Sequence, residues 1–226
     1  MPSGTGRLQQ KENSLKLYSY YRSSAAYRVR IALALKGLPY DYVAVNLLRA
    51  QQKSSDYMAR NPQGLVPALE TDDGVLIAQS VAILEWLEET RPTPALLPTD
   101  PLTRALVRST VNTIVCDIHP LNNMSITNYL QNPVGADPEQ VRDWYARWIY
   151  RGYDALEKNL EKHAGSCCFG DEPGLADLCL IPQTYNALRF EVDISAYPVI
   201  QRVWQHCNTL DAFVAAHPDR QPDAPG

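Results

Sequence analysis

Apolar and polar positions alternate along LKLYSY (15–20), with Leu15, Leu17 and Ser19 on one face, and this predicts a short strand. The period then changes. Ile31, Ala34, Leu35 and Leu38 recur at i, i+3, i+4 and i+7, a helical stripe that Gly37 and Pro39 stop. YDYVAVNL (40–47) is aromatic and β-branched and predicts a second strand. LVPALET (65–71) and VLIA (75–78) flank Asp72-Asp73-Gly74, a hairpin signal. Ser80 stands as the cap of VAILEWLEET, where Ile83, Leu84 and Leu87 mark another amphipathic helix. The order is β-α-β, a connector, then β-β-α. Pro67 falls inside a strand pattern, where it has no N–H for the ladder. A cis peptide at a turn into that strand accommodates it and leaves the backbone of Val66 for a ligand.

RPTPALLPTDP (91–101) is dense in proline and reads as a linker. Beyond it no strand signal competes with the helical period. LTRALVRSTVNTIVCDIHPLNNMSITNYL predicts a long helix bent at Pro120, and three further helical stretches follow it. The predicted architecture is therefore α/β plus all-α: a tail (1–14), an α/β domain (15–91), a linker (92–101), an all-helical domain (102–218) and a flexible tail (219–226).

The chain has 226 residues and a net charge of −4, with lysines and arginines scattered, so nothing marks a nucleic-acid surface. No apolar run approaches the ~20 residues of a membrane span. The first 14 residues are polar, with no apolar core of a secretory signal. The five cysteines form no C-x-x-C pair and read as free thiols of a reducing cytoplasm. Cys116, one turn before His119, is expected to be buried. Four scattered histidines lack the spacing of a metal site, and none is expected.

Candidate chemistry centres on RSSAAYRVRIALALKG (22–37). Ser23 and Ser24 stand ahead of the helical stripe, where a hydroxyl either caps the helix or donates to a bound anion. The local pattern allows both.

Four stretches together, SSAAYRVRIALALKG, NPQGLVPALE, QSVAILEWLEETRPTPALLP and DIHPLNN, resemble the zeta class of glutathione transferases, which includes the maleylacetoacetate isomerases. The likeness runs from about Leu15 to near His217. It implies a thioredoxin-like first domain that binds glutathione, an all-helical second domain and a homodimer. Ser23 matches the family's catalytic serine, with Ser24 beside it, and a serine at a helix N-terminus would stabilise the glutathione thiolate. Val66 and Pro67 match the strand-like contact to the cysteinyl part of glutathione. Gln79 and Ser80 match the grip on its γ-glutamyl carboxylate. His119 and Asn123 match polar residues that line the site from the second domain. Arg189 matches an arginine of zeta-like isomerases, and Arg22, at the strand end just before the serines, can face the thiolate site; both are candidates for a substrate carboxylate. Asp177 matches a capping box that serves folding.

Two departures stand out. Ala25 occupies the place of the family's usual cysteine; glutathione brings its own sulfur, so the reaction does not require that thiol. Met124 replaces an arginine of bacterial maleylpyruvate isomerases, which favours 4-maleylacetoacetate over maleylpyruvate. The resemblance thus implies glutathione-dependent cis–trans isomerisation of a maleyl diacid, a small-molecule substrate. A general transferase, an α-haloacid dehalogenase and a non-catalytic binding module remain alternatives.

Overall fold

The computed structural model describes residues 15–225; the polar tail expected over 1–14 lies outside the described residues. Four strands, β1 (Leu15–Ser19), β2 (Tyr40–Ala44), β3 (Ala68–Glu70) and β4 (Leu76–Ala78), form one sheet in the order β2-β1-β3-β4. β1 pairs in parallel with β2, Leu17 opposite Tyr42, and antiparallel with β3, Leu17 opposite Leu69. β3 and β4 pair antiparallel through the turn at Gly74, whose φ of 79° suits glycine. The Val66–Pro67 peptide is cis, and Pro67 precedes β3 rather than lying in it.

Helix α1 (Ser24–Leu35) crosses from β1 to β2, a short α2 (Ser55–Arg60) lies in the connector, and α3 (Ser80–Thr90) closes the first domain. The linker is pinned to it. The Glu88 carboxylate accepts the N–H groups of Leu96 and Leu97 at 2.8 and 3.2 Å, and both leucines are buried. The second domain holds α4 (Pro101–Asn112), α5 (His119–Asn122), α6 (Met124–Gln131), α7 (Pro138–Leu160), α8 (Leu175–Arg189), α9 (Pro198–Cys207) and α10 (Asp211–Ala216). Helix α1 packs on α3, α8 and α10, so one apolar core runs through both domains. At the start of α8, buried Asp177 accepts the N–H groups of Gly174 and Cys168 at 2.9 and 2.8 Å. These bonds satisfy donors that would otherwise be orphaned.

Four expectations are corrected. Ser80 is not the cap of α3 but its first residue; Gln79, at φ 72° and ψ 119°, is the cap. The helix after the linker does not merely bend at Pro120: its ladder widens into a π-helical segment, Thr113–Ile118, and breaks at Asn123. Cys116, in that segment, is exposed. Residues 219–225 dock rather than dangle. Asp223 accepts the Tyr42 hydroxyl at 2.6 Å and the Tyr21 N–H at 3.1 Å, so the tail ties itself back to the first domain.

Candidate active site

Helix α1 begins with two serines in different environments. Ser23 is the N-cap: its Oγ accepts the Ala26 N–H at 3.2 Å and the side chain is only half-buried. Accepting that bond leaves its hydroxyl hydrogen free to donate outward. Ser24 is buried, and its Oγ lies 3.1 Å from Nδ1 of His119, which reaches in from α5 of the second domain. Burial, with the Arg28 guanidinium second, pushes the His119 pKa down to about 3. The ring is therefore neutral near neutral pH. Of the two serines, Ser23 is the one with a hydroxyl to offer a ligand.

A second helix start lies close by. Arg28, one turn beyond Ser24 on the same face of α1, donates from Nη1 to Ser80 Oγ at 3.2 Å and joins the two helices. The exposed Gln79 side chain donates from Nε2 to Gln63 Oε1 at 2.8 Å. Its left-handed backbone costs on the order of 1–3 kcal/mol for a residue with a Cβ, and such strain clusters at functional positions. Val66 is buried ahead of β3, and neither its N–H nor its C=O has a backbone partner among the described residues. Such a pair suits strand-like pairing with a peptide.

Arg22 is half-buried; its Nη2 donates to the Tyr20 hydroxyl at 3.3 Å and its guanidinium lies 5.1 Å from the Tyr21 ring centroid. Arg189, at the end of α8, is exposed and stacks over Phe190 at 4.3 Å. Tyr185 lies a turn earlier on α8. Burial raises its hydroxyl above the ordinary tyrosine range; Asp219 adds to this, and Arg189 and Arg22 oppose it. Asn123 stands apart in role: its Oδ1 caps α6, accepting the N–H groups of Ser125 and Ile126 at 2.9 and 3.2 Å. Among the described residues, Cys167, Asp177 and Cys207 bring potential ligand atoms together, all buried.

Sequence reasoning missed Arg28, Gln63 and Tyr185. Arg28 had left a signal, since Arg28 and Arg30 interrupt an otherwise apolar run from Tyr27 to Leu35. The groove along α4 lined by Ala105, Arg108, Ser109 and Thr113 includes none of the candidate residues.

Residues 22–90 match the family model for the glutathione S-transferase N-terminal domain, and residues 123–211 match that for its C-terminal domain. The maleylacetoacetate isomerase of Pseudomonas aeruginosa is 51% identical over 213 residues, covering 93% of this chain and 99% of that one. The chain belongs to the zeta class of glutathione S-transferases. The holo structure of a maleylpyruvate isomerase, a bacterial zeta-class enzyme, superposes with a TM-score of 0.91 at 47% identity, covering 93% of this chain and all of that one. A maleylacetoacetate isomerase from Anaeromyxobacter dehalogenans 2CP-1, solved with glutathione in its active site, gives 0.86 at 49% identity, covering 94% and 98%. The fold class expected from the sequence is the one observed.

Proposed function

We propose that this zeta-class transferase is a glutathione-dependent cis–trans isomerase of a maleyl diacid, with 4-maleylacetoacetate as the favoured substrate. The observation that carries the reading is the convergence of two helix N-termini, at Ser23 and Ser80, around a buried guanidinium with no carboxylate partner. That is a site for an anion. Its donor set fits glutathione: the unpaired Val66 backbone for the cysteinyl segment, and Gln79 and Ser80 for the γ-glutamyl carboxylate. Glutathione, when bound, supplies a thiolate whose reversible addition turns the cis double bond into a rotatable single bond, with no net redox change. Ser23 donates its hydroxyl hydrogen to the sulfur, and the α1 dipole favours the ionised form. Ser24 is held by neutral His119 and orders the helix start. Arg22 and Arg189 orient the diacid and offset the negative charge that develops on its carbonyl oxygen. Asn123 shapes the rim by fixing the start of α6, and Ala25 adds no competing thiol. Met124, exposed beside Asn123, leaves one carboxylate clamp fewer, which favours the longer diacid.

S-methylglutathione tests the reading, because it fills the site without a reactive sulfur. It should bind competitively with glutathione and support no isomerisation; turnover with the methylated peptide would sink the proposal. A homodimer is part of the same reading and is supported by the exposed apolar side chains of Leu65, beside the site, and Leu102, on α4. Sedimentation should give twice the chain mass. A cytoplasmic location also belongs to the reading and agrees with the five unpaired cysteines.

A further inference from the structure

Helix α1 buries two arginines, and they are treated differently. Arg30 donates from Nε to the Ala216 carbonyl, from Nη1 to Ser19 Oγ and the Tyr20 carbonyl, and from Nη2 to the Tyr21 carbonyl, at 3.0 to 3.4 Å. It is a structural clamp between the strand end and α10. Arg28 is 2% exposed and makes one bond, to Ser80; its Nε and Nη2 have no partner among the described residues. The titratable groups whose charge acts with Arg28 are His119 on α5, Cys116 in the π-helical segment and Cys179 on α8. His119 is neutral, Cys179 is a buried thiol raised to about 11 by burial, and no carboxylate is among them. A guanidinium stays charged in a protein interior. An unpaired buried charge is costly in the free protein, and apolar replacements of such groups are often neutral or stabilising.

We propose that Arg28 is a positioning residue for glutathione: its uncompensated charge, set between the N-termini of α1 and α3, holds Ser80 toward the γ-glutamyl carboxylate and lowers the thiol pKa at Ser23. The inference rests on the glutathione reading above. It explains why the fold keeps a buried cation with unused donors: the compensating negative charge arrives with the ligand. Burial, with the Arg28 charge second, keeps His119 neutral, so that the Ser24 hydroxyl stays engaged with the ring and Ser23 alone serves the sulfur.

The test compares wild-type protein with Arg28→Met, Arg28→Gln and Arg28→Lys, reading ultraviolet thiolate absorbance of bound glutathione against pH, calorimetric affinity and thermal midpoint. Wild-type protein and Arg28→Lys should share a depressed thiol pKa. The two neutral variants should raise it by about one unit, the order that a unit charge produces over ~10 Å at an effective dielectric of about 20. They should also weaken glutathione binding about tenfold, while Arg28→Met without ligand melts at or above the wild-type temperature. Arg28→Gln removes the charge but keeps a polar amide, and serves if Arg28→Met does not fold. Neutral variants with wild-type thiol pKa and affinity would overturn the inference and leave the glutathione reading intact. A wild-type protein that binds glutathione without depressing its thiol pKa, or does not bind it, would overturn the reading beneath.

Discussion

Replacing each serine at the start of α1 separates two roles that adjacent hydroxyls could share. Ser23→Ala removes the cap that accepts the Ala26 N–H at 3.2 Å, which costs about 1 kcal/mol of stability. For a chain of this size that lowers the melting temperature by roughly 2–4 °C. It also removes the donor to sulfur. A hydrogen bond to a charged acceptor contributes about 1.5–3 kcal/mol, so the pKa of bound glutathione should rise by about one to two units. Turnover near neutral pH should fall about tenfold or more with the thiolate fraction. Ser24→Ala removes a buried hydroxyl 3.1 Å from His119 and no cap. It should move the thiol pKa by well under one unit, and its effect should disappear in a His119→Gln background. Thiolate absorbance against pH, with melting curves of the same samples, reads both effects. Equal thiol shifts in the two single variants, or a larger one in Ser24→Ala, would refute the assignment of Ser23.

Three further outcomes follow from the fold. Asp223→Ala loses the bonds from the Tyr42 hydroxyl and the Tyr21 N–H; at this half-buried position the cost should be about 2 kcal/mol, a fall of roughly 4–8 °C by calorimetry. His119 has a folded pKa of about 3 against 6.5 for the free side chain, so the unfolded chain binds the extra proton between those values. Its contribution is complete above 6.5 and lost as the pH falls toward 3; urea unfolding across the acid range should show a shallower acid limb in His119→Gln. Gly152→Ala drives a Cβ into the Ile118 side chain, an overpacking that costs about 1–3 kcal/mol. Because Ile118 precedes His119, that variant should lose turnover as well as thermal stability.

The strands, the hairpin and the helical second half were legible because each follows one hydrophobic period. The interior of α1 was not. The stripe of Ile31, Ala34, Leu35 and Leu38 says nothing of Arg28 and Arg30, which are buried because the helix packs among α3, α8 and α10 and is covered almost all round. Cap chemistry favoured Ser80 over Gln79, and only a backbone at φ 72° shows that glutamine holds the cap position. The π-helical widening before His119 has no residue signature of its own. Asp223 finds its partners 181 and 202 residues away, so its docking leaves no local pattern. Within the site, the two hydroxyls ahead of α1 and the cis Val66–Pro67 peptide were readable as local chemistry. The Ser24–His119 contact and the Arg28–Ser80 bond were not, because each joins residues far apart in the chain.

The central claim is that the site lends a thiolate and takes it back, and glutathione stoichiometry tests it most directly. With 4-maleylacetoacetate in large excess over glutathione, NMR should show full conversion to the trans isomer while the glutathione signal returns unchanged. Conversion that stops at one equivalent, with glutathione consumed in a stable conjugate, would contradict the account and make the protein a transferase instead.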